Sequence, residues 1–410
     1  MIICLFFKVV NKTLIERMKM INKKNYIVIL SCVLIYACDH SSNQIELPQF
    51  FSGHSNIEVF SENTDPVVTF SFHNERVFGD SELLYISNRD KIGVDDKGRV
   101  YIENQKSIHV YEEDGKYIGK IGREGRGPGE FLTIHNISLK CGLLYVYDAN
   151  QSKISVFDTE SFELNREISI PLINDMRGMG DFAVLEIDDL IVGVRETKRL
   201  EDSAVTQRFM HYYLLDHSGN FAEPAIAIAD ISDYYEIRNQ RGVSYPPVPF
   251  DRETLFSLSE TGKIYLLWTD QIAIKVLDAK GNFLNGILYP FPNVPVKDDS
   301  DFPIFYETIG LSIPDTKQIL GDRLPESYPA VSHFFVDDEE RIWLSTIVKD
   351  LNIYGWWILE ETGELITKFE WRRDEPIEVV KNSKMYTRET DEESGLVQVV
   401  RYRIEFEESI

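Results

Sequence analysis

One phrase recurs along this chain and limits what it can fold into. In its clearest copy, Val94-Asp95-Asp96-Lys97-Gly98-Arg99-Val100-Tyr101-Ile102 is followed by Ile108-His109-Val110-Tyr111-Glu112-Glu113-Asp114-Gly115. A turn, a strand, a short gap, a second strand and a second turn make one unit. Six apolar strands carry its mark, centred on Tyr101, Tyr145, Ile191, Tyr265, Trp343 and Tyr386. Their spacings are 44, 46, 74, 78 and 43 residues. Three match the roughly 40–50 residues of a four-stranded blade, and two equal a blade plus an insertion of about 30 residues. A unit this short cannot bury its own apolar faces, so copies must stack around an axis. The spacing predicts an all-β chain: a six-bladed β-propeller of four-stranded antiparallel blades over residues 65–410.

A second mark falls later in each unit, where a strand runs into a tight turn. It reads Leu214-Leu215-Asp216-His217-Ser218-Gly219-Asn220 in one copy and Val276-Leu277-Asp278-Ala279-Lys280-Gly281-Asn282 in the next. Asp caps such a turn through its own side chain and Gly supplies positive φ, which is hairpin chemistry. A calcium loop needs several oxygens at alternating positions, and these turns offer one or two each. The last unit contains only three strand patterns, at 377–380, 384–388 and 396–406. A ring with an open edge would expose unpaired backbone. The free strand Pro66-Val67-Val68-Thr69-Phe70-Ser71-Phe72 is therefore expected to pair with the C-terminal strands and close the ring.

The N-terminus reads as an address. Lys19, Lys23 and Lys24 precede an apolar run over 26–37. That run is too short to span a bilayer, which needs about 20 residues. A basic stretch before a short apolar one is a signal peptide, here 1–37, with translation beginning at Met1 or at Met18 or Met20. Ile35-Tyr36-Ala37-Cys38 resembles a bacterial lipobox. The resemblance implies cleavage before Cys38, lipid on its thiol, and residues 38–64 as anchor and tether. Several acyl chains on one cysteine anchor a protein without a membrane-spanning helix. The other cysteines, Cys4, Cys32 and Cys141, make no C-x-x-C pair, so zinc and redox motifs are absent. Cys141 falls at a turn and reads as a small filler. The formal net charge is -24, which repels nucleic acid and anionic lipid.

The segment Gly119-Lys120-Ile121-Gly122-Arg123-Glu124-Gly125-Arg126-Gly127-Pro128-Gly129-Glu130-Phe131 resembles the inter-blade loop of NHL-repeat propellers. There, such a glycine-rich stretch leads into the inner strand of the next blade. From about residue 38 to 410 the chain resembles the six-bladed β-propeller lipoproteins of Bacteroidetes. That resemblance implies a cell-envelope protein, with the outer membrane as the expected location and the periplasmic or surface face left open. It implies no reaction. A phosphate-cradling loop would instead end in Gly-Lys-Ser/Thr and open a helix. This one leads to Ile134-His135-Asn136-Ile137-Ser138-Leu139, which reads as strand.

Propellers bind ligands where inner strands and their loops converge at the channel mouth. The candidate channel-mouth residues are His135, Asn136, Arg177, Asp181, Arg252 and His333. His135 and His333 fall within one position of each other in the blade register. The two insertions, 226–252 and 292–330, mix rigid aromatics with Arg, as a sugar- or peptide-binding surface would. Their candidate surface residues are Tyr234, Tyr235, Arg238, Arg241, Tyr245, Tyr306 and Tyr328. No G-x-S-x-G, H-E-x-x-H or Walker motif is present. The expectation is a monomeric module that binds a glycan, peptide or envelope protein, with no nucleic-acid partner. No catalytic residue, cofactor or metal ligand is assigned. The alternative is an NHL-like lyase or hydrolase with a metal at the central channel, held by His135, His333 and a carboxylate.

Overall fold

The computed structural model describes residues 47–61, 63–79, 86–87, 89–170, 179–187, 189–201, 203–216, 218–239, 242–302 and 312–408. Six antiparallel sheets follow one another along the chain. Blade 1 contains Ile92–Val94, Val100–Asn104, Ser107–Tyr111 and Tyr117–Ile121. Blade 2 contains Asn136–Lys140, Leu143–Asp148, Lys153–Asp158 and Leu164–Ser169. Blade 3 has longer strands: Met179–Glu186, Asp189–Arg199, Val205–Leu215 and Phe221–Tyr235. Blade 4 contains Thr254–Leu258, Ile264–Trp268, Ile272–Leu277 and Phe283–Tyr289, and blade 5 contains Val331–Val336, Ile342–Ile347, Ile353–Leu359 and Leu365–Arg372.

Blade 6 closes the ring as the sequence requires. Ile377–Lys381, Lys384–Thr390 and Val397–Glu408 are completed by Val68–Phe78 from the N-terminal side. This strand runs antiparallel to the C-terminal one, from Val68 opposite Glu408 to Phe78 opposite Val399. It extends further than the expected 66–72. Phe72 also packs on Phe369 and Trp371 of blade 5, so the closing strand joins two blades.

The core lies between blades, one cluster for each of the six interfaces. Alternate residues of a strand point to opposite sheet faces, and here each face meets a neighbouring blade. The six sequence marks are 0 % exposed, and each belongs to a different cluster. Tyr101 packs toward blade 2, Tyr145 toward blade 3, Ile191 toward blade 4 and Tyr265 toward blade 5. Trp343 packs toward blade 6 and Tyr386 toward blade 1. The repeat thus encodes one forward-facing plug per blade.

The Asp turns are hairpin caps. Asp278 Oδ1 accepts the N–H groups of Lys280 and Asn282, both at 2.9 Å. Gly281 has φ +84, and a Cβ there would collide with the carbonyl oxygen of Ile226 in the neighbouring blade. Blades 1 and 5 carry the fullest copy of the first turn. Asp95 Oδ2 accepts from Arg99 Nε at 2.7 Å and from the Tyr101 hydroxyl at 3.0 Å. Asp337 Oδ2 accepts from Arg341 Nε and Trp343 Nε1, both at 2.7 Å.

Two departures from the sequence reading come from packing. Ile57–Val59 pairs in parallel with Phe283–Tyr289 as a fifth strand of blade 4. Phe51 is buried beside it against Ala273 and Leu288, and Phe60 stacks on Tyr289. This segment precedes residue 65, where the sequence places the start of the propeller. The insertion after blade 4 contains a helix, Ile313–Leu320, capped by the Ser312 hydroxyl accepting from the Asp315 N–H. Among the described residues no helix is long and apolar enough to cross a membrane.

Candidate functional site

The innermost strands of the blades surround the axis, so the channel has two ends. One is ringed by the turns between first and second strands, called here the turn face. The other is ringed by the inter-blade loops, the loop face.

The turn-face end is bridged by charge. Lys140 Nζ lies 3.0 Å from Glu260 Oε2. Lys381 Nζ lies 3.0 Å from Glu260 Oε1 and 2.8 Å from Asp96 Oδ1. These residues belong to blades 2, 4, 6 and 1. Blades 2, 4 and 6 are not neighbours in a six-membered ring, so the contacts among them span its centre. Lys381 is held above its ordinary pKa: its carboxylate partners outweigh the opposing effect of burial. On the same face, a cavity of about 140 Å³ between blades 1 and 2 is lined by Lys97, Arg99, Cys141 and Glu160 among others. It is smaller than the roughly 300–1,000 Å³ of a drug-sized ligand site. Its cations are committed, Lys97 and Arg99 to Glu160. Cys141 is exposed, with φ +52. It occupies a left-handed turn position and does not act as the small filler expected of it.

The loop-face end carries five of the six predicted channel-mouth residues, His135, Asn136, Asp181, Arg252 and His333, in different roles. Asn136 opens the inner strand of blade 2, and its Nδ2 donates to Asp181 Oδ1 of blade 3 at 2.5 Å. Burial raises the Asp181 carboxyl above its usual range, opposed by the Phe182 N–H, Asn136 and Lys91. His333 opens the inner strand of blade 5, with Nδ1 3.0 Å from Ser345 Oγ and its ring against Tyr354 and Trp356. Burial first, then Arg373, lowers its pKa. His135 is exposed, and its Nδ1 accepts the Ala149 N–H at 3.3 Å.

Arg252 is held by the fold around it. Its guanidinium donates to Asp270 Oδ1, the carbonyl oxygens of Phe250 and Ser327, and Ser327 Oγ. It ties the blade 4 insertion down with four of its five N–H donors. Among the described residues, no three His, Cys, Asp or Glu side chains gather as a metal site requires. The two histidines expected to share a metal are each held by other partners.

The insertion aromatics divide. Tyr235 is fully buried, with its hydroxyl 2.7 Å from Thr316 Oγ1. Tyr328 is buried against Phe250. Both pack the insertions onto the propeller and are not the binding surface expected of them. The reason is that apolar area on a long loop is best removed from water by the scaffold beneath it. Tyr245 is 54 % exposed and donates to Glu236, which also holds Arg238. Tyr234 covers the Arg208 guanidinium at 3.7 Å. Arg177, Arg241, Tyr306 and Cys38 lie outside the described residues.

Sequence reading missed a cluster between blades 3 and 4 on this face. Arg195, Arg208, Asp233, Asp251 and Glu253 meet there. Burial raises the carboxyls of Glu253 and Asp251, and burial with Asp251 pushes Asp233 up to about 6. Burial lowers the Arg208 pKa, and Arg195 lowers it further. The signal was Arg195 itself, a cation near the middle of the strand Asp189–Arg199.

The glycine-rich segment is a closed turn. Arg123–Glu124 pairs with Glu130–Phe131. The Gly127 N–H donates to Glu130 Oε2 at 2.8 Å, and Phe131 is buried against Phe157. Gly122 has φ +75, and a Cβ there would strike the Phe131 ring. The Gly127 N–H is thereby taken by a side chain of the loop itself.

Comparison with known proteins supports the fold. A family model described as a 6-bladed beta-propeller matches residues 81–230. No curated protein matches the sequence. Among solved structures, a Bacteroides fragilis protein described as exported is 12% identical, covers 85% of this chain and 99% of its own, and has a TM-score of 0.49. A gluconolactonase from Xanthomonas campestris is 10% identical over 79% of this chain and 88% of its own, with a TM-score of 0.40. AztD from Citrobacter koseri is 8% identical over 78% and 90%, with a TM-score of 0.36. These likenesses say nothing of what this chain binds.

Proposed function

We propose that this chain is a lipid-anchored, envelope β-propeller of the NHL-like type that binds a ligand or partner at the loop-face end of its channel. One observation carries the reading. The turn-face end of the channel is spanned by Lys140, Glu260, Lys381 and Asp96, which leaves the loop-face end, where Arg195 Nε, Arg208 Nε and Arg373 Nη2 are buried without hydrogen-bond partners, as are Asp338 Oδ1, Arg341 Nη2 and the Tyr265 and Tyr386 hydroxyls on the turn face. Buried polar atoms are nearly always hydrogen-bonded, so unpaired ones mark places where something else completes the set. Exposed Tyr245 and Arg238 offer aromatic and cationic contacts near the same face. The anchor reading rests on the lipobox-like sequence ending in Cys38.

The test is binding of the full chain to glycan and peptide arrays, repeated with Asn136→Ala and His333→Ala on the loop face and Lys97→Ala on the turn face. Loss of a hit by the first two with retention by the third is the expected result. Hits abolished only by the turn-face change would overturn the reading. Cys38→Ala is expected to move the protein from the membrane fraction to the soluble one. Retention in the membrane would remove the anchor from the proposal.

A further inference from the structure

Two arginines on the loop face lack the partners that every other feature of the site suggests they should have. Arg195 makes no hydrogen bond or ion pair among the described residues, and its Nε is shut off from solvent without an acceptor. Arg208 is only 9 % exposed. It uses Nη1 on the Ser232 carbonyl and lies under Tyr234, yet its Nε is also without an acceptor. The strand register puts Arg195 opposite Met210 and Arg208 opposite Thr197, so the two are diagonal neighbours on one sheet face. Like charges so placed repel.

The neighbouring acids give neither guanidinium a hydrogen bond or ion pair among the described residues, although the charges of Glu253 and Asp233 act on Arg208. Asp233 Oδ1 takes the Arg208 N–H at 3.1 Å. Asp251 takes the N–H groups of Asp233 and Arg252. Glu253 Oε2 faces the Ser232 N–H at 3.4 Å. Arg195 also has a clear route to the inner strand. A Cβ on Gly180 would lie 3.3 Å from Arg195 Nη2 and collide with Met210 Cε. Glycine at 180 therefore leaves the guanidinium free to reach the residue beside Asp181.

We infer that Arg195 and Arg208 form a recognition site for a small oxyanion, a carboxylate or phosphate group of the bound ligand. A guanidinium presents paired donors in a fixed plane, which fits two oxygens of such a group. Tyr234 holds the Arg208 plane in place beforehand, so little side-chain freedom is lost on binding. The inference deepens the binding proposal for the loop face and rests on it.

The experiment titrates the full chain with inorganic phosphate and, separately, with succinate, reading Kd by calorimetry and Tm by thermal unfolding. Saturable binding of at least one anion is expected, and the tighter one identifies the oxyanion. Arg195→Gln should weaken it by about tenfold or more, the scale of one lost charge-assisted pair. Arg195→Lys should restore part of the loss, since it keeps the charge without the fork. Without anion, Arg195→Gln should unfold at the same Tm as the parent or higher, because an unpaired cation is removed. Arg372→Gln, an exposed residue paired with Asp374, should leave binding unchanged. No saturable binding, an unchanged Kd in Arg195→Gln, or a lower Tm for its anion-free form would each overturn the inference. If array hits on the loop face survive Arg195→Gln, the oxyanion assignment falls alone. If those hits are absent in the parent chain, the binding reading falls with it.

Discussion

Arg341, in the turn that leads into the second strand of blade 5, and Arg195, on the second strand of blade 3, lie at opposite faces of the same ring. Arg341 places Nε on Asp337 and Nη2 2.9 Å from Glu339, and Asp337 also takes the Trp343 indole. Arg195 makes no hydrogen bond or ion pair among the described residues, whereas Arg341 is ion-paired even though its Nη2 meets no hydrogen-bond geometry. The difference teaches what each face is for. On the turn face a repeated Asp-x-x-x-Arg-x-aromatic pattern pairs charge within seven residues, so folding alone completes it. On the loop face the charges sit on blade 3, whose strands run longer than the repeat. The proposed oxyanion would complete them.

The sharpest way to break this comparison is to remove the acid on each side. Asp337→Ala strips Arg341 and Trp343 of their shared acceptor in a buried setting. It should destabilise by about 3–5 kcal/mol, the usual result of breaking a buried pair, as measured by urea unfolding. A cost within about 0.5 kcal/mol, the range of ordinary surface changes, would show that the turn face is not held together as described.

A smaller effect should appear at Asp233, with a distinct pH signature. Its folded carboxyl is pushed up to about 6 by burial, then by Asp251, against an unfolded value of about 3.9. The folded state therefore binds the proton more tightly, and stability falls as pH rises from about 4 to about 6. Asp233→Asn keeps an oxygen for the Arg208 N–H and removes the charge. It should be more stable than the parent at pH 7 by about 1–2 kcal/mol, discounted for partial exposure. The two should coincide near pH 4. A Tm difference that does not change with pH would contradict the burial argument.

The least effect is expected at Glu260, which is part-exposed. Glu260→Gln removes the carboxylate shared by Lys140 and Lys381, and should cost about 1 kcal/mol. That cost should shrink as salt is raised from low ionic strength, because screening weakens the parent's pairs. A cost insensitive to salt would mean the residue acts through packing and not through charge.

The amino-acid order alone determined the blade count, the six forward-facing plugs from Tyr101 to Tyr386, the Asp-capped hairpins and the strand that closes the ring. The plugs and hairpins rest on rules that act within about ten residues, strand alternation and turn chemistry, while the blade count and the closing strand follow from the repeat's spacing and the need to cover an edge. Asn136 with Asp181 was also legible, because both sit where inner strands begin. The tertiary structure decided the rest. It buried Tyr235 and Tyr328, placed Phe51 and Ile57 on blade 4, and tied down Arg252 while giving Arg195 no partner among the described residues. Those outcomes depend on partners far along the chain: Lys381 meets the Glu260 carboxylate across 121 residues, and Arg388 donates to the Asp90 carbonyl oxygen across 298. Which cation finds an acid is settled by the geometry of the ring, because a charge is satisfied by what lies within a few ångströms of it and not by its neighbours in sequence.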